Sequence, residues 1–310
     1  MNRCYGWTLS SLLIALALAS LLLVLFAKTL IFTLEASRQT VQLAQLHQSG
    51  QFVLGLMQRE LRNGNFMAGI TNPQSLSSTL AVENDCQSTD DSGSFPADNQ
   101  RFVLTRTGTV GDASTPDCLN NAINQSDFLQ LKRLAGDRTT KSELRHNRVY
   151  LAQSVAGAKF VTAASSELNS DDQYWPYLHQ IFYIARQYHQ GRSVPVLMRK
   201  RLVRQQNGQL AMDTDSLLDG VEAMAFEAGI DQDHDGVTDQ FTSQLIDPNL
   251  NGNDSAAKIT QIRFHILLRS VEPDPTYTNH QHYQLGPRRF SAPGDHFRRL
   301  QLSSSVTFIN

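Results

Sequence analysis

One stretch restricts this chain more than any other. From Leu12 to Phe26 the only polar residue is Ser20. Counted from Trp7, the apolar run approaches the roughly 20 residues that cross a bilayer as a helix. A secretory signal would end in small residues at an A-x-A-like cleavage site. Here the apolar core runs into Ala27-Lys28-Thr29 and continues through Leu30-Ile31-Phe32. The segment is therefore expected to be retained, and an all-round apolar helix is stable only in lipid or among similar helices.

The helical pattern does not stop at the polar boundary. No proline occurs between Glu35 and Asn63, and apolar residues recur at Val41, Leu43, Leu46, Phe52, Val53, Leu56, Met57 and Leu61. This is mostly helical spacing with a polar opposite face. Gly50 and Gly55 weaken it locally, and Asn63-Gly64-Asn65 is a stop signal. The prediction is one helix from about Trp7 to about Asn63. At ~1.5 Å per residue it is a rod on the order of 80 Å long, apolar all round at first and amphipathic later.

The chain has 27 Lys+Arg against 29 Asp+Glu, so it lacks the basic excess of a nucleic-acid-binding protein. Cys4 precedes the apolar stretch, whereas Cys86 and Cys118 lie in a polar region from Asn72 to Asp127 that reads mostly as loop. If that region is exported, the pair reads as a disulfide pinning a variable loop; in a reducing compartment it would be two free thiols. Within the region, Arg101–Arg106 and Asp127–Lys132 alternate enough to be strands. From Tyr177 the chain becomes strand-like, with a hairpin of Gln180–Arg186 and Val194–Val203. A turn follows at Asn207-Gly208, and Asp215–Ile230 begins as a turn and becomes a strand. Two more strands cover Ile259–Leu268 and Leu300–Ile309. The fold class is α+β, a long helix covering an antiparallel sheet. The expected division is 1–6 leader, 7–34 membrane or filament-core helix, 35–66 amphipathic helix and 67–310 β-rich domain, loop-rich over 72–127.

The most chemically pointed stretch is Asp231-Gln-Asp-His-Asp-Gly-Val-Thr-Asp239. Carboxylates at Asp231, Asp233, Asp235 and Asp239 around Gly236 match the first part of a calcium loop. Calcium takes six to eight oxygens at about 2.3–2.6 Å, and a glycine permits the sharp bend. The bidentate glutamate of an EF-hand is missing, since Thr242 stands there, so completion would fall to Asp247, Asn251, Asn253 or Asp254. The same residues also make a plain solvated turn. His280, His282 and His296 lie in loop sequence and make a poor zinc site. The cluster Arg199-Lys200-Arg201 with Arg204 could touch acidic lipid or DNA, but such residues more often line an exposed sheet face. No glycine-flanked serine nucleophile, P-loop or dinucleotide-binding glycine pattern is present, and no enzyme activity is expected.

The residues around Gly6 carry a family resemblance. A short leader ending in Gly6, then Trp7-Thr8-Leu9 and a long apolar helix, resemble a type IV prepilin. The resemblance implies cleavage after Gly6 by a prepilin peptidase, methylation of Trp7 and retention of the helix as anchor and filament core. One position departs from the family: where it usually carries a glutamate, five residues after the glycine, this chain has Ser11. That departure points to a subunit at the filament tip rather than in its shaft. "LMQRELRNGNF" and the succession "IFYIAR…VPVLMRKRL…LLDGVEAMAFEAGIDQDHDGVTDQF…ITQIRFHILLRS…RRLQLSSSVTFIN" are similar to the PilW family of minor pilins. The implied partners are other minor pilins, the major pilin, the prepilin peptidase, an inner-membrane assembly platform and membrane lipid, with no nucleic acid. Adhesion and twitching would follow from the filament. A type II secretion pseudopilin shares the architecture, and a membrane-anchored periplasmic enzyme or calcium-dependent binding module is the reading from another class.

Overall fold

The computed structural model describes residues 9–155, 157–189, 191–233, 235–243 and 258–307. One helix, α1, spans Leu9–Arg62, as the unbroken pattern requires. It ends where Asn63 and Gly64 donate back to Arg59 and Leu61 and Asn65 adopts a left-handed φ of 61°. Its inward stripe is Leu46, Gly50, Val53, Leu56, Met57, Glu60 and Leu61. Burying each of the large apolar members stabilises the docked helix by roughly 1.5–3 kcal/mol. Val41, Leu43 and Phe52, expected on the same stripe, are instead 52%, 43% and 51% exposed. Full burial begins at Leu46, and Phe52 points away from the buried stripe.

Among the described residues the domain has two larger sheets and a two-stranded ribbon. The first contains β1 (Val82–Glu83), β2 (Thr105–Thr109), β3 (Asp127–Leu134), β4 (Val149–Ser154), β5 (Gly157–Thr162), β6 (Gln173–His189), β7 (Arg192–Arg204) and β8 (Leu210–Asp219). Its order is β1-β8-β7-β6-β3-β2, with β4 pairing β6 and β5. Within it, β1 runs parallel to β8, and the other ladders are antiparallel. The second is β10-β9-β11-β14, from β9 (Val221–Asp231), β10 (Gln240–Thr242), β11 (Lys258–Arg269) and β14 (Arg299–Thr307). A ribbon of β12 (His282–Leu285) and β13 (Arg288–Ser291) packs Tyr283 and Leu285 against Ala225 and Leu267 of the second sheet.

Two strand expectations need correction. Arg101–Leu104 is not strand, and β2 begins only at Thr105. Asp215 does not open a turn; it lies inside β8, and the break comes at Gly220. There the chain leaves the first sheet for the second with φ 87°, and a Cβ would sit 2.5 Å from the Arg269 carbonyl oxygen. Only glycine fits such a crossing without displacing backbone.

Strand alternation divides the core. One face of the first sheet presents Leu129, Leu131, Phe182, Ile184 and Leu197 to α1 and the second sheet, whose Met224, Phe226, Phe264 and Ile266 complete that cluster. The opposite face presents Phe128, Ile181, Tyr183 and Met198 to the irregular segment containing Phe95, Phe102 and the cysteines. Cys86 and Cys118 are bonded, with Sγ–Sγ 1.98 Å and Cα–Cα 4.8 Å.

Candidate functional site: the exposed helix and the acidic turn

The first half of α1 is long and apolar enough to cross a membrane, and its most apolar stretch has no residue buried by the domain. Leu12, Leu16, Leu23, Phe26 and Phe32 are all at least half exposed. Three hydroxyls in this half are satisfied inside the helix: Ser20 Oγ donates to the Ala17 carbonyl at 2.9 Å, and Thr29 and Thr33 donate to carbonyls four residues back. This removes the cost of carrying an unpaired polar group into hydrocarbon. Ser11 lies in the first turns of α1, and no acidic residue precedes Glu35. Gly6 and Trp7 lie outside the described residues.

The acidic turn follows β9. Asp231, Asp233 and Asp239 each place a carboxylate oxygen within 4.8 Å of the others; Asp231 is buried and the other two are exposed. Backbone donors shape the turn. Asp231 Oδ2 accepts Gly236 N–H at 2.9 Å, Asp233 Oδ1 accepts Asp235 N–H at 3.2 Å, and Asp239 Oδ2 accepts Gln232 N–H at 2.6 Å. Gly236 has φ 87°, which supplies the bend. Asp235 does not join the cluster; its Oδ1 accepts Val237 N–H at 2.7 Å in a local turn. Three converging carboxylates offer a hard cation an oxygen set. Asp247, Asn251, Asn253 and Asp254 lie outside the described residues. The histidines stay apart from one another in their bonding: His282 pairs with Ser291, and His296 with the Tyr277 carbonyl.

A buried polar network was not legible in the sequence. Asp91 reaches the sheet face and binds Lys132 Nζ at 2.6 and 2.7 Å, with both side chains fully buried. The same carboxylate accepts Gln130 Nε2 at 2.7 Å and Val103 N–H at 2.9 Å. Ser94 Oγ donates to Asp85 at 2.5 Å and lies 2.9 Å from His179 Nδ1, and Gln130 Nε2 lies 3.1 Å from His179 Nε2. Ser94 has one hydroxyl proton and Asp85 takes it, so His179 Nδ1–H donates to Ser94 and the bare Nε2 accepts from Gln130. This neutral imidazole agrees with a pKa pushed well below the ordinary value, first by burial and then by Lys132 and Arg106. Burial likewise lowers Lys132 against the opposing pull of Asp91. Ser94 and His179 are wholly buried, so the serine–histidine contact is a pin for the 85–104 loop and not a reachable nucleophile. At the start of β3, burial raises Asp127 to about 6 although Arg288 lies 2.6 Å away.

Residues 181–310 match the family model described as Type IV Pilus-assembly protein W, PilW. This C-terminal segment is PilW-like. No curated protein and no solved structure matches the chain. The PilW match begins within β6 and takes in β7, β8, the second sheet and the β12–β13 ribbon. The acidic turn falls inside it; α1, the disulfide and the Asp91–Lys132 network fall outside. A role in type IV pilus assembly goes with this family, and one apolar helix beside the domain fits an anchor.

Proposed function

We propose that this PilW-like chain is a minor pilin that starts or caps a type IV pilus, held in the inner membrane with its domain in the periplasm until it is assembled. The carrying observation is the divided burial of α1. The fully buried positions of the helix run from Leu46 to Leu61, and the apolar half before Glu35 is left for lipid or for other helices. A subunit entering beneath another must bring a partner for the buried charge at its neighbour's amino terminus, because an unpaired buried charge is costly. With Ser11 and no acid before Glu35, this chain brings none and is suited to enter first. Adhesion and twitching are then properties of the filament it starts.

The test compares the mature N-terminal peptide by mass in cells with and without the prepilin peptidase, together with gold labelling of sheared pili. A peptide starting at methylated Trp7 only when the peptidase is present, with label at pilus ends, supports the reading. A peptide starting at Met1 in both strains refutes the pilin assignment, and stoichiometric label along the shaft refutes the tip placement. As a second part of the reading, Asp231, Asp233 and Asp239 take Ca²⁺ and stiffen the turn between β9 and β10; the converging carboxylates support it.

A further inference from the structure

We propose that the domain carries an oxyanion cleft at its end remote from the membrane helix, which takes a phosphate- or carboxylate-bearing sugar of an extracellular surface polymer. Its position follows from the chain path. Phe66, just past the far end of α1, accepts a hydrogen bond at 2.8 Å from Leu134 N–H at the end of β3. The segment after β3 therefore lies at that pole. With parts of β6 and β7 it encloses a cleft of about 760 Å³.

Arg138, Arg145, Arg148 and Arg201 line the cleft, against Asp137 and Glu143. Glu143 is already engaged: Thr139 and the Thr140 N–H and hydroxyl donate to its carboxylate and hold its pKa low. Arg138 gives one N–H to Gln173, and Arg201 Nε lies 3.1 Å from Asp215. The guanidinium groups of Arg145 and Arg148 have no hydrogen-bond or ion-pair partner among the described residues. One local turn joins them, with Arg148 N–H donating to the Arg145 carbonyl at 3.3 Å. The whole chain carries a net charge of −2, so this concentration of arginine is local and not a general basicity.

The shape and charge select the ligand class. A guanidinium fork matches a carboxylate or phosphate through two parallel hydrogen bonds. The cleft is concave, and its two tyrosines are buried with their hydroxyls spent on Arg145 N–H and the Ser94 carbonyl. It thus offers no aromatic platform for bases and too few positive charges to follow a duplex backbone. Access to a surface polymer rests on the proposed tip placement, whereas binding by the purified protein does not.

The test is calorimetry on the full chain in detergent, with glucose 6-phosphate, an oligomer of glucuronic acid, inorganic phosphate and a short DNA duplex as separate probes. One of the two sugars is expected to bind below about 1 mM, more weakly as salt rises. The double variant Arg145→Gln/Arg148→Gln should bind about 10-fold or more weakly. Its urea midpoint should be unchanged, since the substituted groups are exposed and unpartnered. The proposal falls if neither sugar binds, if the double variant binds equally well, or if inorganic phosphate binds as tightly as the sugars. Tighter, steeply salt-dependent duplex binding also overturns it, in favour of nucleic acid. None of these outcomes alters the N-terminal peptide mass, so failure here is distinct from failure of the pilin reading.

Discussion

Asp91→Asn removes the charge that neutralises Lys132 while keeping the shape of the side chain. The Lys132 ammonium is fully buried and would be left without a carboxylate. Breaking a buried pair in this way costs roughly 3–5 kcal/mol. A second route gives the same ceiling. The orphaned amine can shed its proton, which at pH 7 costs about 1.4 kcal/mol for each unit below a pKa of about 10.4, or about 4.6 kcal/mol. A loss of this size is a large share of the roughly 5–15 kcal/mol that holds a domain folded. The second route predicts a pH signature. In the variant the folded lysine is neutral and the unfolded lysine is charged. Raising the pH from 7 to 9 should therefore return about 2.7 kcal/mol relative to the parent protein. Adding Lys132→Met removes the orphan and should restore at least about 2 kcal/mol, because an apolar replacement of a buried pair is often neutral. Urea unfolding in detergent, read with an unchanged m-value, measures each quantity. A single variant within about 1 kcal/mol of the parent, a double variant no better than the single, or no recovery at high pH would refute the reasoning.

Five further outcomes are expected. His179 is kept neutral in the fold, so its contribution is full above the unfolded pKa of about 6.5 and falls as pH drops; between pH 7 and 5 the parent should lose about 2 kcal/mol relative to His179→Gln. That comparison also cancels Asp127, whose raised pKa acts in the opposite direction. Replacing Cys86 and Cys118 together by alanine reopens a loop of sequence separation 32 and should cost about 4 kcal/mol in reversible unfolding. Gly220→Ala should cost about 1–3 kcal/mol or more through its φ of 87° and the Arg269 carbonyl. Gly55→Ala, with nothing within 4 Å, should instead stabilise α1 by about 0.5–1 kcal/mol, and a loss would contradict the account of helix docking. Ca²⁺ should raise the melting temperature, and Asp233→Asn with Asp239→Asn should abolish that rise; a melting temperature indifferent to millimolar Ca²⁺ would remove calcium from the reading.

Local pattern alone determined a good deal here. The proline-free periodic run to Asn63 specified one helix, because helical hydrogen bonds and the 3.6-residue stripe are local properties. Alternation placed β3, β7 and β11 within a few residues for the same reason, whereas β6, read from Gln180, begins at Gln173. Turn residues marked the acidic loop, since Asp side chains bond backbone a few positions away. Tertiary structure decided what depends on contacts between distant residues. It alone settled that Val41, Leu43 and Phe52 stay outside the docked stripe, because composition does not say how far along the rod the domain reaches. It separated Asp235 from the other carboxylates and made Gly220 the crossing between sheets. It also brought Asp91 to Lys132 and Ser94 to His179 across 41 and 85 positions. In the sequence Asp91 and Ser94 fall in a stretch that reads as loop, and Lys132 reads as the end of a strand. Only the fold removes them from water and obliges them to find one another.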